Sequence, residues 1–65
     1  MTISPQQVVA ALQSPPGPPK SAEGIQDALK ALLGRDVALN EAMAAINEAI
    51  AADAIEGKDP YTVAG

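Results

Sequence analysis

The sequence predicts a mainly α-helical single domain, in which three helices are followed by a short C-terminal β-hairpin. Three observations carry this. Apolar residues recur at three- and four-residue spacing in three stretches, each opened by a residue able to cap a helix. A proline-rich run, SPPGPPK at residues 14–20, separates the first stretch from the second. Near the C-terminus a Gly57-Lys58-Asp59-Pro60 turn is flanked by β-prone residues, which is a hairpin signature.

The first helix is written in ISPQQVVAAL, where Ser4 caps, Pro5 suits the first helical position and Gln7 completes a capping box. Ile3 and Val8 have the spacing of a hydrophobic staple. Val8, Val9 and Leu12 form its apolar stripe, and the helix is expected to end near Gln13 or Ser14, because Pro15 drives its predecessor out of helical geometry.

Prolines 15, 16, 18 and 19 exclude helix or central strand over residues 14–20, so this run reads as a stiff extended connector. The same prolines contain PxxP twice, a short pattern that also suits an aromatic-lined groove on a partner. Ser21 then caps the second helix, with Glu23 in its first turn at the positive end of the dipole. Ile25, Ala28, Leu29, Leu32 and Leu33 are its apolar positions, and Gly34 is its stop.

A short connection, Arg35-Asp36-Val37-Ala38-Leu39, leads to Asn40 as the expected cap of the third helix, which should run to about Asp53. Leu39, Met43, Ile46 and Ile50 fall on one face, and Glu41, Asn47 and Glu48 point elsewhere. Ala54, Ile55 and Glu56, then Tyr61, Thr62 and Val63, are the two arms of the expected hairpin. An isolated hairpin is marginal in water, so Ile55, Tyr61 and Val63 must lean on the helices.

The 65 residues allow one core and no second domain. With no cysteine and no histidine, the chain has no disulfide, no thiolate nucleophile, no zinc-finger ligand set and no Ser-His or Cys-His pair. No apolar run is long enough to span a bilayer, and the start lacks a basic region followed by an apolar stretch. The expectation is a soluble, unexported, cytoplasmic protein. Its formal charge of −4 works against nucleic acid and anionic lipid as general partners. Only Lys20, Lys30, Arg35 and Lys58 could build a basic patch against that balance.

Three helices and a terminal hairpin, in this order, resemble the winged helix-turn-helix family, most closely over AINEAIAADAIEGKDPYTV. There Ile50 and Ile55 match the family's buried positions, and Ala54 stands where glycine is frequent. The second helix is several residues longer than the family's. The resemblance implies a winged-helix-like fold whose third helix enters a DNA major groove, with Asn40 and Asn47 suited to an adenine edge. Local charge opposes that use. Residues 40–53 hold Glu41, Glu48 and Asp53 and no cation, which leaves Arg35 and Lys58 as the candidate phosphate contacts.

The other use of such a fold is protein docking. Alanines 42, 44, 45, 49, 51 and 52 give a smooth helix surface, although alanine is also simply the best helix former. The candidate interaction surface is therefore Asn40, Glu41, Ala44, Ala45, Asn47 and Glu48, offered to a partner protein or to a second copy. Catalysis and cofactors are not expected. Asp53, Glu56 and Asp59 lack the ligand pattern of a calcium loop, Ser4, Ser14 and Ser21 have no base to activate them, and Tyr61 reads as a core-edge residue. The expected function is non-catalytic: protein interaction or self-association in a regulatory or nucleic-acid-processing assembly. Direct DNA binding is the alternative, and a fragment of an enzyme completed by another chain is the third reading.

Overall fold

The computed structural model describes residues 3–15 and 17–64. Three helices are present: α1 (Pro5–Gln13), α2 (Ala22–Leu33) and α3 (Leu39–Ala51). Each packs against both of the others. The radius of gyration over Cα atoms is 10.0 Å, against about 11 Å expected for a folded chain of this length.

The helix ends follow local chemistry. Ser4 Oγ accepts from Gln7 N, and the Gln7 side chain accepts from Ser4 N at 2.8 Å, a reciprocal capping box ahead of Pro5. Ile3 and Val8 are both buried in the core, as a staple requires. Ser21 Oγ accepts from Gly24 N to start α2, and Gly34 ends it in the left-handed region at φ 67°.

The start of α3 differs from expectation. Its N-cap is Ala38, which makes no side-chain capping bond, and Asn40 lies inside the helix with Oδ1 accepting from Glu41 N at 3.0 Å. α3 also ends at Ala51, short of Asp53. Ala52 closes it, and Asp53 turns the chain at φ 59°.

The core takes its volume from α1 and α2 and its closeness from α3. Val8, Leu12, Ile25 and Leu29 are completely buried, and α3 meets them with Ala42, Ala45, Ile46 and Ala49. The expected stripe of Leu39, Met43, Ile46 and Ile50 is therefore only partly right. At 3.6 residues per turn, α3 is rotated by roughly 80° from that stripe. Ile46 stays inside, Ile50 is half-buried, and Leu39 and Met43 are 46% and 36% exposed. Short alanine side chains let the helix backbones approach more closely than a Leu/Met face would, and close packing rewards that approach. Val37 fills the gap between α2 and α3, and the Gln26 side chain donates to its carbonyl at 2.8 Å, pinning the connection.

The expected C-terminal β-hairpin, and with it the winged part of the fold class, is corrected by the structure. Among the described residues no strand forms, and only two isolated antiparallel bridges occur, Ile55 with Val63 and Lys20 with Tyr61. The reason lies in where Tyr61 places its backbone bonds. It pairs with Lys20 at the end of the proline-rich connector, so the C-terminal run is shared between two neighbours. Across to the C-terminal run, residues 54–56 make Glu56 N to Thr62 O at 2.8 Å and Ala64 N to Ala54 O at 3.1 Å, while Ala54 N turns back to Ala49 O at 2.9 Å. That is too short a ladder for a hairpin. The result is a three-helix domain with an irregular C-terminal segment laid across it.

Candidate interaction surface

α3 presents one face to its own core and the other outward. On the outward side Asn40, Ala44, Asn47 and Glu48 are exposed. Ala45 is not: at 4% exposure it belongs to the core, because it lies on the same side of the helix as Ala42 and Ala49. Leu39 and Met43, one turn apart, join the outward face instead. At 100° per residue they form its apolar margin, Asn40 and Asn47 come next, Ala44 and Ala51 follow, and Glu48 marks the far margin.

Glu41, half-buried, is held by a cation. Arg35 donates to it twice, Nη2 to Oε2 at 2.7 Å and Nη1 to Oε1 at 3.3 Å, and Nη1 also donates to the Asp36 carbonyl at 2.9 Å. This fork holds the Glu41 carboxyl below its ordinary range, chiefly through the Arg35 hydrogen bonds, and raises the Arg35 guanidinium through the same contact. Glu48 has no such cation within the described residues. α3 carries no basic residue in its last turn either, so the negative end of its dipole lies uncompensated beside Glu48 and the exposed Asp53.

The four cations sit on four different segments. Lys20 is buried at 9% exposure, its ammonium donating to the carbonyls of Ser14 at 2.8 Å and Gly17 at 3.4 Å. Arg35 is engaged by Glu41. Lys30 lies in the last turn of α2 and Lys58 in the exposed segment near the C-terminus. Of the two candidate phosphate contacts, Arg35 is paired with Glu41, and Lys58 pairs with no carboxylate among the described residues.

Among the described residues, open grooves flank the helices. One, of about 530 Å³, lies between the proline-rich connector and α2 and is lined by Pro15, Lys20, Gly24, Asp27 and Ala28 among others. The second, about 430 Å³, lies where Pro5 and Val9 of α1 meet Ala52 and Ala54. Neither brings together groups for acid–base or nucleophilic chemistry. Ser4 and Ser21 act as caps, and the Ser14 hydroxyl donates to the Ala11 carbonyl at 2.8 Å. Among the described residues no three acidic side chains gather as metal ligands, Asp53, Glu56 and Asp59 included. No helix among them is long and apolar enough to cross a membrane. Pro15, Pro18 and Pro19 are exposed, whereas Pro16, which takes part in the PxxP pattern, lies outside the described residues.

Comparison with family models, with curated proteins and with solved structures gives no match to this chain. The likeness to the winged helix-turn-helix family thus rests on the sequence alone.

Proposed function

We propose that this chain is a non-catalytic docking domain that binds another polypeptide through the outward face of α3. The observation that carries the reading is the exposure of Leu39 and Met43, side by side on one helix and bordered by Asn40 and Asn47. Single exposed apolar residues are ordinary on protein surfaces. Two large ones one turn apart, beside amides that can hydrogen-bond outward and alanines that do not obstruct approach, form the apolar centre and polar rim of an interface. The family resemblance read from the sequence is what supports a partner within a regulatory or nucleic-acid-processing assembly. A chain free of cysteine suits the reducing cytoplasm.

Direct DNA binding is the weaker reading. Arg35 is engaged by Glu41, Lys20 is buried, and α3 offers carboxylates where a phosphate backbone would lie. A photo-crosslinking residue placed at position 43, with a second placed at Asp27 on α2 as control, tests the docking reading in cells. Protein adducts of defined mass should form at position 43 and not at position 27. Equal labelling at both, or none at 43, would refute it.

A further inference from the structure

We infer that residues 54–64 form a strap that opens as one unit about the Ala52–Asp53 turn while the three helices stay packed, and that in its closed position it covers the C-terminal end of the apolar stripe on α3. The consequence for docking rests on the reading above; the opening itself does not.

The strap has few attachments. Asp53, at φ 59°, leaves the helical path in the left-handed region that residues with a side chain seldom adopt. Ala54 N still donates to Ala49 O at the helix end. Beyond that, among the described residues, the backbone bonds from the segment to the rest of the chain are the two exchanged with Lys20 at Tyr61, because Glu56 N to Thr62 O and Ala64 N to Ala54 O lie within the segment itself. Ile55 is its buried anchor at 3% exposure, whereas Tyr61 and Val63 are half-buried at the edge of the core. A segment held by one buried side chain and one bonded pair opens at lower cost than helices that contribute several completely buried side chains. The internal bonds join the Ile55 arm to the Tyr61 arm. Release at either anchor therefore loosens the other, which makes the opening a single event.

The closed strap lies on α3. A Cβ built on Gly57 would stand 3.2 Å from Ile50 Cγ2, so the strap backbone runs directly against that side chain. At 100° per residue Ile50 lies about 20° from both Leu39 and Met43, so the three form one stripe along the helix. Leu39 and Met43 are exposed, and Ile50 is half-buried. Lifting the strap bares Ile50, continues the exposed pair toward the end of α3, and takes Ala54 out of the wall of the groove at Pro5 and Val9. The strap thereby sets the length of apolar stripe that a partner can reach.

Native-state hydrogen exchange of the full chain, followed by NMR, tests the opening. The amides of Lys20, Glu56, Tyr61 and Ala64 should share one opening equilibrium, at least about tenfold more populated than the opening that frees Leu29 and Ile46. Ile55→Val should lower protection at all four by one common factor of about two- to tenfold, including at Lys20 in the connector. Protection equal to that of Leu29 and Ile46 would mean that the segment yields only when the whole domain unfolds, and would overturn the inference. An Ile55→Val effect that spares Lys20 would overturn it too, because the segment would then fray piecemeal. Ile50→Cys, in a chain that otherwise has no cysteine, reads the covering: a bulky maleimide should react with it faster by the same factor once Ile55→Val is added. A labelling rate indifferent to Ile55→Val would overturn the placement of the strap over the stripe. Absence of adducts at position 43, with the exchange results as expected, would refute the docking reading alone.

Discussion

Lys20 and Tyr61 exchange both of their backbone hydrogen bonds, Lys20 N donating to Tyr61 O at 3.1 Å and Tyr61 N to Lys20 O at 2.8 Å. The pair joins the end of the proline-rich connector to the C-terminal segment. The Lys20 side chain then turns back to the Ser14 carbonyl just beyond α1. One residue thus ties together the end of the first helix, the connector and the C-terminal run.

Replacing Lys20 by methionine keeps most of the apolar stem and removes the ammonium. The Ser14 carbonyl then loses its charged donor, and the expected loss of stability is about 1–3 kcal/mol. For a domain of this size each kcal/mol lowers Tm by about 4–8 °C. Lys20→Ala should cost more, because the buried stem is lost as well. Urea unfolding of both variants checks the order; a wild-type midpoint for Lys20→Met would show that the ammonium contributes nothing.

The rotation of α3 is tested by a pair of truncations. Ile46→Ala, at a completely buried position, should destabilise the domain by about 2–5 kcal/mol. Met43→Ser, on the exposed margin, should stay within about 0.5 kcal/mol of wild type. Thermal unfolding separates them, and comparable losses at both positions would return the core face to the Leu/Met stripe.

How much of this could be read from the sequence follows from the range of each signal. The capping box of Ser4 and Gln7 and the Gly34 stop are local, and both stand where the residues place them. The face of α3 differs from the expected one because alanine serves both core and surface, so periodicity favours Leu39 and Met43 over Ala42, Ala45 and Ala49. The β-prone residues near the C-terminus do form bridges, but local propensity does not name the partner, and Tyr61 pairs with Lys20 across the chain. Burial of Lys20 carries no sequence signal at all, since lysine is normally a surface residue. At the candidate surface, Asn40, Ala44, Asn47 and Glu48 were legible as outward positions. The Arg35–Glu41 fork was not, because its partners lie on either side of a loop whose path depends on Val37 and Gln26.

Among the described residues Gly17, Gly34 and Asp53 have positive φ, and opposite outcomes are expected at the last two. Gly34, at φ 67°, has open space around a built Cβ, so Gly34→Ala meets only the backbone penalty of about 1–2 kcal/mol, and Gly34→Asn should cost less. Asp53 already bears that penalty at φ 59°, and its carboxylate stands at the negative end of α3. Asp53→Gly should therefore stabilise by about 1 kcal/mol. Calorimetry of the three variants decides it; a lower Tm for Asp53→Gly would show that the aspartate makes a compensating contact.

The Arg35–Glu41 fork makes stability depend on pH in a fixed direction. Glu41 is held below its ordinary range in the folded chain, chiefly by the Arg35 hydrogen bonds, so the folded state binds a proton there less readily than the unfolded state. Its contribution is complete above the ordinary glutamate value of about 4.3 and is lost as the pH falls through the lower folded value. Arg35 stays charged throughout, so only the glutamate titrates in this window. The difference in Tm between wild type and Glu41→Gln should be positive at neutral pH and shrink toward zero in strong acid, the other carboxylates cancelling in the comparison. About a third of each side chain remains exposed, so the same difference should also fall when salt is added. A difference that stayed constant into acid would mean that the fork is not what Glu41 contributes to the fold.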